Sequence, residues 1–233
     1  MTTTVDKLQA QGEAARKAAR SLARLPSGRK DGALECIAAA LLEQQDRVLE
    51  ANRRDMEAGK AKGLTDALLD RLLLSPERLQ GMARDVRTVA ALPDPVGEVF
   101  DMQTRPNGLM VGKKRVPLGV IGAIYESRPN VTVDIAALCL KSGNATLLRG
   151  GSEAINSNRV LAALVRDALE AADVPRDAVQ FVDDPDRKLV ESMLGMDRYI
   201  DLMVPRGGAD FIRYVAKNAT MPVVTGGVGV CHT

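Results

Sequence analysis

The stretch Val116-Pro117-Leu118-Gly119-Val120-Ile121-Gly122-Ala123-Ile124-Tyr125-Glu126-Ser127-Arg128-Pro129-Asn130 decides the fold. Its centre, Val120 to Tyr125, is an apolar run of strand length without polar alternation. A strand of this kind is covered on both sides, as in parallel sheets whose two faces carry helices. The chain beyond it keeps alternating strand and helix. A helical stretch around Asp134 to Lys141 leads to the strand Ala145-Thr146-Leu147-Leu148, and Ser152 opens a helix carrying Val160, Leu161, Leu164, Val165 and Leu169. Ala178-Val179-Gln180-Phe181-Val182 reads as a third strand, and Asp184-Pro185 as the cap and start of a short helix with Leu189, Val190 and Met193. Tyr199-Ile200-Asp201-Leu202-Met203-Val204 reads as a fourth strand, and a helix through Phe211, Ile212 and Val215 leads to the last, Pro222-Val223-Val224. Right-handed crossovers turn this order into a doubly wound, Rossmann-like α/β layer.

Upstream, Val99-Phe100-Asp101-Met102 and Leu109-Met110-Val111 flank Pro106-Asn107-Gly108, a hairpin turn signal. The first hundred residues read as helices. Leu8, Ala15, Leu22 and Ala23 form one stripe; Leu34, Ile37, Ala38, Leu41 and Leu42 lie in a second, long stretch that Gly63 ends. Thr65 can cap a short helix holding Leu68, Leu69, Leu72 and Leu73, and Ser75-Pro76-Glu77 starts another that fades at Leu92-Pro93-Asp94-Pro95. The expected division is a helical region over 1–96 packing on the cofactor domain, a hairpin arm over 97–116 and a Rossmann-like region over 117–233.

The 233 residues include 32 basic and 30 acidic side chains, a balance that argues against nucleic-acid binding by bulk charge. No apolar run spans a bilayer and the N-terminus lacks the layout of a signal peptide, so a cytoplasmic protein is expected. Cys36, Cys139 and Cys231 form neither a disulfide framework nor a metal motif, and one histidine, His232, excludes a His-based metal cluster.

Ligands of a parallel sheet sit at the carboxyl ends of its strands. Four loops fall there: Glu126-Ser127-Arg128-Pro129-Asn130, Arg149-Gly150-Gly151-Ser152-Glu153, Pro205-Arg206-Gly207-Gly208 and Thr225-Gly226-Gly227-Val228-Gly229. Three contain a Gly-Gly pair and three an arginine, which suits close backbone approach and bidentate contact to phosphate; a helix start after the loop would add free N–H groups. The same pairs also serve as plain tight turns. The fingerprint GxGxxG is absent. Pattern alone therefore reaches an α/β domain that binds a phosphorylated ligand.

The motifs carry further. Val116 to Gly122, Glu126 to Thr132, Cys139 to Ala145, Leu148 to Gly151, Val204 to Gly208 and Thr225 to His232, with Gly63-Leu64-Thr65, Leu69 to Leu72 and Asp94 to Gly97 before them, closely resemble the γ-glutamyl phosphate reductase family of the aldehyde dehydrogenase superfamily. The resemblance runs in order along essentially the whole chain. It implies NADPH-dependent reduction of L-glutamyl 5-phosphate to the semialdehyde in proline synthesis, through attack of a cysteine thiolate on the acyl phosphate and hydride reduction of the thioester. It implies Asn130 as the side-chain donor to the carbonyl oxygen, unless that amide only fixes its own loop. It implies Arg149 at the adenosine ribose, where a guanidinium suits a 2′-phosphate, against the plainer reading of a solvated strand-end charge. It implies Gly150, Gly151 and Ser152 beside that arginine, Pro205, Arg206, Gly207 and Gly208 near pyrophosphate and nicotinamide, and Thr225 and Gly226 where related enzymes carry a glutamate that is missing here. The nucleophilic cysteine is expected beyond Thr233, so this chain alone is expected to be inactive; Cys231 and His232 read as non-catalytic. Homo-oligomer formation through the hairpin arm and contact with a glutamate 5-kinase follow by the same likeness. The alternative is a non-catalytic nucleotide-binding or assembly fragment.

Overall fold

The computed structural model describes residues 4–225. Its chain begins with α1 (Thr4–Leu22), α2 (Ser27–Glu43), α3 (Gln45–Ala61), α4 (Asp66–Leu72) and α5 (Pro76–Ala91). The stretch expected as one helix up to Gly63 is broken at Gln44, whose φ of −104° and ψ of 21° leave the helical region. The break has a packing reason: α2 lies on α5 and α7 (Ile155–Ala171), whereas α3 turns onto α7 and α4. Ser75 caps α5 as expected, its Oγ accepting from the Arg78 N–H at 3.3 Å with Pro76 in the first turn. Thr65 precedes α4 in an extended conformation, but its side chain makes no capping bond, and Leu73 falls past the helix end.

The expected hairpin is β1 (Val99–Thr104) paired antiparallel with β2 (Met110–Lys114). Both strands are largely exposed, Met102, Met110 and Val111 included. The register slips between Phe100 and Gln103, where Asp101 takes a φ of 54°. Lys113 and Arg115 cover the Phe100 ring at 5.7 and 5.0 Å.

The apolar run is β3 (Val120–Tyr125), buried throughout, followed by α6 (Asn130–Lys141), β4 (Ala145–Arg149), α7, β5 (Val179–Phe181), α8 (Lys188–Leu194), β6 (Leu202–Arg206) and α9 (Ala209–Asn218). The strands are parallel in the order β5-β4-β3-β6. This is the doubly wound sheet that the sequence predicts. Helices α6 and α7 carry the chain outward from β3 to β5, and α8 returns it to the far side of β3. The winding therefore reverses between β3 and β6, and a crevice opens at such a reversal. The N-terminal helix α1 contacts β3, β4, β5 and α8, so the chain's first helix covers the sheet face opposite α6 and α7. Leu8, Ala15 and Leu22 join Ala123, Leu147 and Leu148 in one continuous core.

Three boundaries differ from expectation. The fourth strand starts at Leu202, because the N–H groups of Tyr199 and Ile200 both turn back to the Met196 carbonyl at 2.8 Å. Asp184-Pro185 does not open α8; instead Asp184 accepts from the Asp186 N–H and Asp186 from the Lys188 N–H, two consecutive side-chain turns that delay the helix to Lys188. Ser152 begins a 3₁₀ turn, Ser152–Ala154, before α7. Pro222 to Val224 contribute a single parallel bridge, Val223 to Met203. Entry into β3 is fixed by Gly119, whose φ of +128° and contact with the Asp201 carboxylate leave no room for a side chain. Asp201 in turn accepts from the Val120 N–H at 2.8 Å and pairs with Arg16 of α1.

Candidate functional site

A cleft of about 610 Å³ lies over the carboxyl ends of the parallel strands, lined among others by Glu126, Ser127, Arg149, Glu153, Arg187 and Phe211. Each strand delivers part of it. Past β3, Ser127 adopts a φ of 46°, which a residue with a side chain holds only when its surroundings compensate. The compensation is Glu153, whose Oε1 accepts from the Ser127 N–H at 2.6 Å and from its hydroxyl at 2.9 Å. One carboxylate thus ties the loop after β3 to the loop after β4.

Arg149 ends β4 and is only 8% exposed. Its Nη2 donates to the main-chain oxygens of Pro185 and Asp186 at 3.0 and 3.4 Å, and its Nε has no partner among the described residues. Burial, and after it the nearby Arg187 charge, lowers its pKa. Asp184, Glu153 and Asp186 are close, yet each already accepts bonds elsewhere. A desolvated guanidinium with an orphaned N–H and no carboxylate of its own is costly, and the arrangement is suited to an anionic ligand.

The Gly150-Gly151 pair has a different cause from the one its sequence suggests. A side chain on Gly150 would collide with the Asn158 amide and crowd the Tyr125 ring; one on Gly151 would meet the Glu153 carboxylate. The glycines make room for the protein's own side chains. Two of the N–H groups at the start of α7 are already taken. The N–H groups of Asn156 and Ser157 donate to Asp55 of α3 at 3.1 and 2.7 Å. Ser152 lines the cleft beside Arg149.

Past β6, Pro205 is buried within the strand, while Arg206, Gly207 and Gly208 are exposed at the cleft's rim. Glu126 holds this turn: its N–H donates to the Arg206 carbonyl at 3.2 Å and its Oε2 accepts from the Gly208 N–H at 3.3 Å. The vacant Cβ position of Gly207 faces that carboxylate and the Phe211 ring. The Gly207 turn therefore adjoins the cleft through Glu126 and Phe211, while Arg206, Gly207 and Gly208 do not themselves line it. Thr225 is exposed at the end of the described residues; Gly226, Cys231 and His232 lie outside them.

Asn130 faces a second concavity of about 370 Å³, shared with Asp85, Arg71 and Arg128. The Glu126–Asn130 loop runs between the two, giving Glu126 and Ser127 to one and Arg128 and Asn130 to the other. The Asn130 Nδ2 donates to Asp134 Oδ2 at 2.8 Å, one turn along α6. Burial, reinforced by the Asp85 charge, pushes the Asp134 carboxyl up to about 6. Neither described cysteine lines either concavity. Cys139 is buried against the sheet with its thiol pushed up to about 12, and Cys36 packs against the core from α2. No group of three or more metal-ligating side chains occurs among the described residues, and no helix among them is long and apolar enough to cross a membrane.

Sequence reasoning missed Asp55, Glu153 and Arg187. Asp55 stands in the polar run Asn52-Arg53-Arg54-Asp55, which carries no motif; only the fold reveals that it is 1% exposed. Glu153 stood within a quoted loop, but its partner is 26 residues away.

Comparison with known proteins accounts for this architecture. The aldehyde dehydrogenase family pattern matches residues 2–227. γ-Glutamyl phosphate reductases from Dehalococcoides mccartyi (strain CBDB1) and Roseiflexus castenholzii are 55% and 56% identical over 97% of this chain, covering 53% and 54% of their own lengths. The crystal structure of γ-glutamyl phosphate reductase from Thermotoga maritima superposes with a TM-score of 0.93 at 44% identity, over 96% of this chain and 54% of that one. The chain thus spans about half the length of the curated relatives it matches. It belongs to the aldehyde dehydrogenase family, with γ-glutamyl phosphate reductases as its homologues.

Proposed function

We propose that this chain is the cofactor-binding portion of an NADPH-dependent γ-glutamyl phosphate reductase, which converts L-glutamyl 5-phosphate to L-glutamate 5-semialdehyde for proline synthesis. The family works with nicotinamide cofactors. The observation that carries the choice of NADPH is Arg149: a buried guanidinium at a strand end, with an unpartnered Nε and no ion pair among the described residues, lining a cleft of ligand size. These residues fit a phosphorylated nucleotide. Bound NADPH supplies the reducing equivalents. Arg149 and Ser152 take the adenosine end, with Gly150 and Gly151 setting the loop that aims them. Pro205, Arg206, Gly207 and Gly208 form the turn toward pyrophosphate and nicotinamide, with Thr225 and Gly226 beyond it.

Asn130 stands on the other side of the Glu126–Asn130 loop, where the acyl phosphate carbonyl would be held. Its amide donates to the carbonyl oxygen as negative charge develops there, and Asp134 orients it through the 2.8 Å bond. The nucleophilic thiol is not among the described cysteines, since Cys36 and Cys139 serve packing. The hairpin over 97–116 is the oligomerisation arm; its exposed Met102, Leu109 and Met110 support this use.

Titration with NADPH, followed by nucleotide fluorescence, tests the reading. Saturable binding that Arg149→Ala weakens is expected. A folded chain that binds no NADPH would instead make it a non-catalytic assembly module.

A further inference from the structure

We propose that Arg187, a residue with no role assigned above, closes with Arg149 on a phosphomonoester, the 2′-phosphate of NADPH, as a two-guanidinium clamp. The inference rests on the cofactor reading and adds the residue that would distinguish NADPH from NADH.

Four observations carry it. Both arginines line the same cleft. The Arg187 charge lies near enough to oppose the charge on Arg149. Among the described residues the Arg187 side chain has no hydrogen-bond or ion-pair partner, and Arg149 has a buried Nε without one. Of the carboxylates near Arg149, Glu153 bonds Ser127, Asp184 the Asp186 N–H and Asp186 the Lys188 N–H, so none forms an ion pair with either arginine, and Glu191 lines the same cleft. Two cations in one cleft, neither held in an ion pair, are an unfavourable pair that an anion between them relieves.

One segment positions both groups. Arg149 is held by the carbonyls of Pro185 and Asp186, and Arg187 follows directly, at the end of the two side-chain turns that order 184–188. A phosphomonoester carries close to two negative charges at neutral pH and presents acceptor oxygens on several sides, so two planar guanidinium forks can bind it together. A bridging pyrophosphate or a carboxylate has less charge per group to offer. The side chain of Arg187 is exposed, so its removal leaves the core intact.

The experiment compares dissociation constants of the full chain for 2′,5′-ADP, 5′-AMP, NADPH and NADH, in the unaltered protein, Arg187→Ala and Arg187→Glu, with circular dichroism to verify folding. Loss of one charge-assisted contact should weaken 2′,5′-ADP and NADPH about tenfold or more in Arg187→Ala, and further in Arg187→Glu, while 5′-AMP and NADH stay within about twofold. If the unaltered chain prefers NADPH over NADH and Arg187→Ala keeps that preference, or weakens all four ligands equally, the clamp is wrong while the cofactor reading stands. If the unaltered chain shows no preference for the 2′-phosphate, or binds none of the four, the reading itself fails and the clamp with it.

Discussion

Replacing Asp55 by alanine removes the acceptor on which the start of α7 depends. The carboxylate is 1% exposed and accepts four hydrogen bonds: from the Asn156 N–H at 3.1 Å, Asn156 Nδ2 at 2.8 Å, the Ser157 N–H at 2.7 Å and the Ser157 hydroxyl at 2.6 Å. Bonds to a charged group contribute about 1.5–3 kcal/mol each, but they do not add, and removing a buried carboxylate also returns part of its desolvation cost. The Ser157 hydroxyl keeps Asn52 Nδ2 as a donor to it, at 3.1 Å. The two main-chain N–H groups lose the one acceptor recorded for each among the described residues, and an orphaned donor costs about 1–3 kcal/mol. The net expectation is a loss of about 3–5 kcal/mol, a fall of roughly 6–20 °C in melting temperature for a chain of this size. Asp55→Asn keeps one acceptor oxygen and should fall between the two. Urea unfolding of the three proteins measures the effect, with amide exchange at Asn156 and Ser157 as the local reading. A loss below about 1 kcal/mol with an unchanged denaturant slope, or no faster exchange at those amides, would show that α7 does not lean on this carboxylate.

Two further outcomes follow from titratable groups whose pKa burial raises. Asp134 has a folded pKa of about 6, above the usual carboxylate value of about 4, so the folded state holds its proton more tightly between those values. Its contribution to stability therefore falls as pH rises through that window; Asp134→Asn should flatten the pH dependence of the urea midpoint there, and an identical profile would contradict the assignment. Cys139, its thiol pushed up to about 12 by burial, should resist iodoacetamide in the native protein and react once unfolded. Peptide mapping that finds native Cys139 labelled at the unfolded rate would refute this.

The parallel sheet was legible because β3 and β4 are buried on both faces and β3 is an uninterrupted apolar run, a pattern that few other structures produce. The hairpin was legible for the opposite reason: its turn chemistry is local, and Pro106-Asn107-Gly108 needs no tertiary context. What escaped depends on partners distant in sequence. Nothing at Gln44 marks a break; α2 packs on α5 as well as α7, whereas α3 packs on α7 and α4. Tyr199 and Ile200 have strand propensity, yet their N–H groups are captured by Met196. The cleft's basic residue was readable as a strand-end arginine, but its orphaned Nε and its neighbour Arg187 follow from where 184–188 fold back over β4.

The same geometry bears on why the common dinucleotide fingerprint is missing. In the usual doubly wound nucleotide site, the first turn after a strand stays open so that phosphate can reach the helix start. Here the start of α7 is filled by Asp55, and the glycines before it accommodate Asn158, Tyr125 and Glu153. A phosphate placed there would meet a carboxylate instead of free N–H groups. The turn at Gly207-Gly208 is different. It leads into α9 with no side-chain cap among the described residues, and its Gly208 N–H donates to Glu126 at 3.3 Å. If a dinucleotide binds this cleft, its pyrophosphate belongs at the start of α9 and its adenosine phosphate at Arg149 and Arg187, on opposite sides of the reversal between β3 and β6. The sequence GxGxxG serves a site at a single turn; a ligand stretched across two turns would have no use for it.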